Sequence, residues 1–112
     1  MSMKYFVEAM RWIQSNESDY GIPRFVELKK LVESLMILCI MERTNIALAK
    51  VFSAMGDFHL AKEEWFQDIY FLEFNRQHLE SARTGPAREV WLSQYVHQEA
   101  LVAKKWGISD QK

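Results

Sequence analysis

Hydrophobic residues recur every three or four positions along most of the chain, which is the spacing that one buried face of an α-helix requires. The first such stripe, over residues 3–15, consists of Tyr5, Phe6, Ala9, Trp12 and Ile13. A polar loop follows at residues 15–21, and Pro23 suits the first turn of a second helix that runs into the low forties. Strand-like alternation is nowhere sustained, so the pattern predicts an all-α protein.

The second predicted helix is apolar on every side between Leu35 and Met41. This run predicts a central element that neighbouring helices cover, and a homodimer interface is an alternative explanation. No glycine or proline separates this helix from the next one. Thr44 or Asn45 can cap a new helix, and a single continuous helix that reaches Met55 is the alternative.

The pair Gly56-Asp57 is the clearest break inside the pattern. One helical stripe precedes the pair and another follows it. Two helices joined by so short a turn must fold back on each other, so the pattern predicts an antiparallel hairpin. The second arm of this hairpin is expected to end near Arg83.

A last helix is predicted from Pro86 to Trp106, with Gly85 and Pro86 marking the boundary before it. The predicted fold is therefore one all-helical domain over residues 1–112. It contains about five helices.

The composition narrows the class of protein further. Hydrophobic residues make up 49% of the chain, enough for a packed core, and 14 basic residues face 15 acidic ones. This balance disfavours nucleic acid and anionic membranes as partners. No apolar run approaches the roughly 20 residues that cross a bilayer, and no secretory signal is apparent. The single cysteine, Cys39, is expected to be a buried thiol, which favours a reducing, cytoplasmic setting.

One stretch, from about Glu42 to Asn75, carries an ordered set of small and aromatic residues. They are Leu48, Ala49, Phe52, Gly56, Asp57, Phe58, Ala61 and Trp65. This set resembles the tetratricopeptide repeat, whose 34-residue unit is a helical hairpin. The chain departs from the family pattern at Asp68 and Glu73, and no second copy lies in phase. An ordinary helical hairpin with similar packing is the alternative.

The resemblance implies two antiparallel hairpins and a C-terminal capping helix, and a small helical bundle is the alternative architecture. It also implies a groove along the outward side of each first arm, where a peptide or a partner helix binds. The groove residues implied in this way are Arg43, Ile46, Lys50 and Ser53. Simple solvated charges are the alternative interpretation of Arg43 and Lys50.

The second arm carries more aromatic residues than one buried face needs, namely Phe66, Tyr70, Phe71 and Phe74. Leaving all of them in water would expose an unusually large apolar patch. Either the other helices surround this arm or another chain covers part of it. We expect a partner to cover part of it, with Phe66, Tyr70 and Phe74 in the interface.

The sequence offers no catalytic constellation. His59, His78 and His97 are too far apart for a local metal signature, and the Glu-x-x-His pattern of di-iron helical bundles is missing. The four glycines are scattered, so no phosphate-binding loop is predicted. We expect a protein that is not an enzyme and that holds no metal and no cofactor.

These observations favour a small protein-binding module, such as a chaperone, an adaptor or an assembly factor, that docks a partner helix or peptide. An inhibitor that occupies its target's surface is a related hypothesis. The alternative is a dimeric all-helical regulator that binds DNA. Glu63 and Glu64, near the start of the second arm, would repel phosphates and weigh against that alternative.

Overall fold

The computed structural model describes residues 1–81 and 85–108, which contain four α-helices and no β-strand. The helices are α1 (Met3–Gln14), α2 (Pro23–Glu42), α3 (Asn45–Ser81) and α4 (Pro86–Trp106). The all-α class is confirmed, but the described part of the chain has four helices rather than about five. The chain divides into two compact units, a first unit of Met1–Lys62 and a second unit of Glu63–Lys112.

The predicted hairpin at Gly56 is wrong. Helix α3 continues through Gly56 and Asp57, and the φ angle of Gly56 is not positive. The buried positions keep their helical spacing across this site, because Val51, Ala54 and Phe58 all face the core. A tight reversal would have broken that spacing. The two arms of the expected repeat are thus parts of one 37-residue helix.

The break between α2 and α3 lies at Arg43 and Thr44, so the alternative of one continuous helix is also wrong. Arg43 adopts the left-handed conformation, with φ of 54°. The Thr44 hydroxyl then accepts a hydrogen bond from the backbone N–H of Ala47 at 3.1 Å. This bond satisfies one of the first amides of α3 and caps the helix.

The core of the first unit is formed by one face from each of its three helices. One cluster of its buried residues consists of Ala9, Val32, Met36, Cys39, Ala47, Leu48, Val51, Ala54 and Met55, and Phe25, Phe58 and Ala61 are also buried in this unit. The apolar run of α2 is therefore covered on one side only. Ile37, Leu38 and Met41 remain exposed, which differs from the expected central element covered all round.

The loop between α1 and α2 is held to α3 by a buried lysine. Lys62 is 8% exposed and pairs with the Glu17 carboxylate at 2.8 Å, while its ammonium lies 5.1 Å from the Tyr20 ring centroid and 5.0 Å from that of Phe58. The hydrogen bond from Lys62 lowers the pKa of Glu17 below its ordinary value. Lys29 adds a hydrogen bond of 2.6 Å to the Glu17 backbone carbonyl.

Candidate functional site

The second unit contains the C-terminal part of α3 and the antiparallel helix α4. At one end, the rings of Trp65 and Trp106 meet edge to face, with centroids 5.6 Å apart. At the other end, the Arg88 guanidinium donates to the Leu79 carbonyl oxygen at 3.3 Å. The side of α3 that faces α4 is half-buried or buried and consists of Trp65, Asp68, Leu72, Asn75 and Leu79. Helix α4 therefore covers one side of this part of α3.

Asp68 is the polar anchor between the two helices of the second unit. Its carboxylate accepts hydrogen bonds from the Trp106 indole N–H at 2.8 Å and from Lys105 at 2.9 Å. Lys105 also pairs with Glu64 at 2.6 Å. Partial burial raises the pKa of Asp68, but the hydrogen bonds from Lys105 and Trp106 outweigh it and hold the pKa below its ordinary value. Asp68, one of the two residues that depart from the repeat pattern, thus has a structural role.

We expect Asp68→Ala to destabilise the protein by about 1–3 kcal/mol, because the buried indole N–H of Trp106 would lose its acceptor. Asp68→Asn keeps one side-chain oxygen as an acceptor and replaces the other with an uncharged NH2 group, so it should cost less. Urea denaturation of the two variants measures both changes. An alanine variant that unfolds at the same urea concentration as the wild type would contradict this role.

Three aromatic residues, Phe66, Tyr70 and Phe74, lie on the side of α3 that points away from α4, and we call them the aromatic stripe. They follow one another at intervals of four residues, so they lie along one side of the helix. Tyr70 is two residues from both Asp68 and Leu72, which places it about 160° around the helix from each. The exposed fractions are 51% for Phe66, 75% for Tyr70 and 50% for Phe74. Helix α4 cannot cover this side.

A chain of ring contacts connects the aromatic stripe to α4. The Phe74 and His78 ring centroids are 4.8 Å apart, and His78 stacks on Trp91 with an interplanar angle of 8°. Beside Trp91 lies an open groove of about 430 Å³, lined by the rings of Phe71, Trp91 and Tyr95 and by the amides of Asn75, Gln94 and Gln98. Aromatic surface therefore extends from the stripe across the flank of the second unit.

Charged residues around the aromatic stripe are mostly acidic. Glu63 lies in line with the stripe at its N-terminal end, and Glu73 and Glu80 lie along one edge. Arg76 pairs with both Glu73 and Glu80 on the same edge. The hydrogen bond from Arg76 lowers the pKa of Glu73, and the same bond raises the pKa of Arg76. The surroundings of the stripe therefore carry three carboxylates and one guanidinium, and two of these carboxylates and the guanidinium lie on the edge.

The residues implied by the repeat resemblance lie in the first unit, at the start of α3 and just before it. Arg43, Ile46, Lys50 and Ser53 are all exposed, and Ile46 is 73% exposed. The return arm that was expected beside them is not formed, because α3 continues. Arg43 instead borders a cleft of about 270 Å³ with Met1, Met3, Phe6 and Ile40. Partner binding by these four residues stays a prediction.

Cys39 is fully buried, as expected. Burial raises the pKa of its thiol, and nearby Glu42 raises it further, so the reactive thiolate is disfavoured. Within residues 1–81 and 85–108, no three His, Cys, Asp or Glu side chains gather as metal ligands would. The same residues include no helix with the length and apolarity needed to cross a membrane.

Comparison of the chain with protein-family models, with curated proteins and with solved structures finds no match. The tetratricopeptide interpretation thus gains no support from similarity to known proteins.

The sequence pattern singled out the three residues of the aromatic stripe, and the structure brings them together on one exposed side. The sequence pattern did not identify His78 or Trp91 as surface residues. The helical spacing of Trp91, Tyr95 and Val102 predicts that Trp91 lies on the inward stripe of the last helix, yet it is 44% exposed. The available signal was the position of Trp91 between Val90 and Leu92, since three consecutive apolar residues cannot all face one side of a helix.

Proposed function

We propose that this chain is a small protein-binding module that docks a helix or peptide of another protein against the aromatic stripe. The observation that carries the proposal is the exposure of Phe66, Tyr70 and Phe74 on a side of α3 that α4 cannot reach. Aromatic side chains concentrate at the centres of interfaces because they bury a large area at a low entropic cost. An adaptor, a chaperone, an assembly factor or an inhibitor would use such a surface.

The size of the stripe indicates how far the interface extends. Covering the exposed parts of three aromatic side chains removes about 350 Å² from water, which corresponds to about 8–9 kcal/mol. Association itself costs at least about 4 kcal/mol, so the stripe alone supports only weak binding. The ring contacts through His78 to Trp91 offer contiguous aromatic surface. We therefore propose that the partner also contacts the groove beside Trp91.

The first unit offers a second surface for the same function. Arg43, Ile46, Lys50 and Ser53 lie within about three turns of one another and are exposed. We propose that they form a separate docking patch, with Ile46 as its apolar anchor. A reducing, cytoplasmic setting agrees with the single buried thiol of Cys39.

The double variant Tyr70→Ser, Phe74→Ser is expected to weaken partner binding at least about tenfold, because it removes the centre of the interface. Its free energy of unfolding should change by less than about 1 kcal/mol, since both side chains are exposed in the free protein. Val96→Ser is the matched control, because Val96 is exposed to a similar degree on α4. This control should bind like the wild type.

The partner can be captured with a photo-crosslinking residue, p-benzoylphenylalanine, at position 70 in the cells from which the chain comes. We expect one discrete crosslinked protein from position 70, none from position 96, and loss of the product when Phe66 and Phe74 are changed to serine. The free energy of unfolding of the purified wild type and variants is then measured by urea denaturation. Equal losses of binding and of stability in the serine variant would show that the stripe belongs to the core. Salt-dependent binding to random duplex DNA without any crosslinked protein would favour the DNA-binding regulator instead.

A further inference from the structure

The shape of the aromatic stripe fits a helical partner segment. Phe66, Tyr70 and Phe74 span eight residues of α3, which is about 12 Å along the helix axis. Side chains spaced by four residues form a ridge, and ridges of this kind pack into the grooves of another helix. A partner helix would meet this ridge with its own apolar residues at intervals of three and four.

The charges around the stripe restrict which helix fits. Glu63 at the end of the stripe and Glu73 and Glu80 on its edge contribute three negative charges, and Arg76 contributes one positive charge, so the surroundings of the stripe have a net charge of −2. These four side chains are exposed and belong to the second unit. A partner that places Lys or Arg beside its apolar residues would meet opposite charge here, whereas an acidic helix would meet like charge.

We infer that the segment docked on the aromatic stripe is a basic amphipathic helix of another protein. This inference rests on the function proposed above and names the chemistry of the partner. The same carboxylates disfavour the other occupants of an apolar helix face. DNA and anionic lipid would be repelled, and a second copy would bring one acidic edge against another.

Two synthetic helical peptides of about 18 residues test the inference with the full-length chain. Both carry Leu at the same positions i, i+4 and i+8, and they differ only in Lys or Glu at the flanking positions. By isothermal titration calorimetry at low salt, we expect the Lys peptide to bind about tenfold more tightly than the Glu peptide. The difference should shrink as the salt concentration rises, because the charges are exposed.

Two variants separate the contributions of charge and of apolar contact. The triple variant Glu63→Gln, Glu73→Gln, Glu80→Gln should lose most of the preference for the Lys peptide and still bind both peptides. Tyr70→Ser should weaken the binding of both peptides. Circular dichroism checks that each variant keeps the helical signal of the wild type.

Several outcomes would overturn the inference. Equal affinity of the wild type for the two peptides would reject a basic partner. If Tyr70→Ser then abolished the binding of both peptides, the docking function itself would still be supported. Absence of binding by either peptide, together with crosslinking of a cellular protein from position 70, would reject the basic helix alone. A dimer in sedimentation experiments that Tyr70→Ser abolishes would replace the basic helix with a second copy.

Discussion

Gly56→Ala is expected to stabilise the protein by about 0.5–1 kcal/mol, and Gly56→Pro to destabilise it by about 3 kcal/mol or more. Gly56 lies inside α3, where alanine restricts the unfolded chain and suits the helical backbone. A Cβ atom at this position would meet nothing within 4 Å, so the gain is not offset by a clash. Proline would remove a backbone hydrogen bond and collide with the preceding turn of the helix. Urea denaturation of the three proteins measures both changes.

Gly21→Ala is the matched control for this experiment. Gly21 has the same open surroundings, but its φ angle is +70°, in the left-handed region. Alanine should therefore cost about 1–2 kcal/mol at position 21 and stabilise at position 56. If alanine destabilised the protein at both positions, the continuous helix through Gly56 would be rejected, and a glycine-dependent turn would regain support.

Phe58→Ala should cost about 3–5 kcal/mol, because it removes a fully buried aromatic ring and leaves a cavity. In the first unit, the Phe58 ring lies 5.3 Å from Trp12 and 5.8 Å from Phe25, measured between ring centroids. It also lies below the Lys62 ammonium. The substitution therefore weakens the contacts of α3 with both α1 and α2. Thermal unfolding followed by circular dichroism reports the loss.

Tyr70→Ala provides the comparison on the same helix. Tyr70 is exposed, so its removal should change the free energy of unfolding by no more than about 0.5 kcal/mol. A loss at Tyr70 that approached the loss at Phe58 would mean that the stripe is packed in the free protein. In that case, the surface assigned to the partner would have to lie elsewhere.

Three helix boundaries, the start of α2 and both ends of α4, follow directly from local sequence signals. Pro23 and Pro86 sit at the first turns of α2 and α4, and Gly107 ends α4 in the left-handed conformation. Proline at a first turn loses no helical hydrogen bond, and glycine after the last turn adopts positive φ without strain. These effects need no tertiary contact, so the sequence alone predicts them.

Gly56 shows where local signals mislead. Glycine lowers helix propensity by about 1 kcal/mol, which a continuous buried face easily outweighs. The residues before and after Gly56 stay in phase, since Val51, Ala54, Phe58 and Ala61 follow one another at intervals of three and four and are all buried. In this chain, unbroken spacing of the buried residues across a glycine is a better guide to helix continuity than the glycine itself. The true break lies at Arg43, where neither glycine nor proline marks it.

The exposure of the aromatic stripe was predictable because one neighbouring helix can cover only one side of α3. The aromatics of α3 lie on more sides than one neighbouring helix can bury, so those outside the contact with α4 remain exposed. The link from Phe74 through His78 to Trp91 was not predictable, because it depends on how α4 pairs with α3 in register. Residue spacing within one helix carries no information about that register.

The tryptophans are distributed so that each unit has its own optical reporter. Trp12 is the tryptophan of the first unit, and its indole N–H donates to His59 Nε2 at 2.7 Å. The other three, Trp65, Trp91 and Trp106, belong to the second unit. Proteins that retain a single indole would allow intrinsic fluorescence to follow the melting of each unit separately, with Trp91 sensing the arrival of a bound helix.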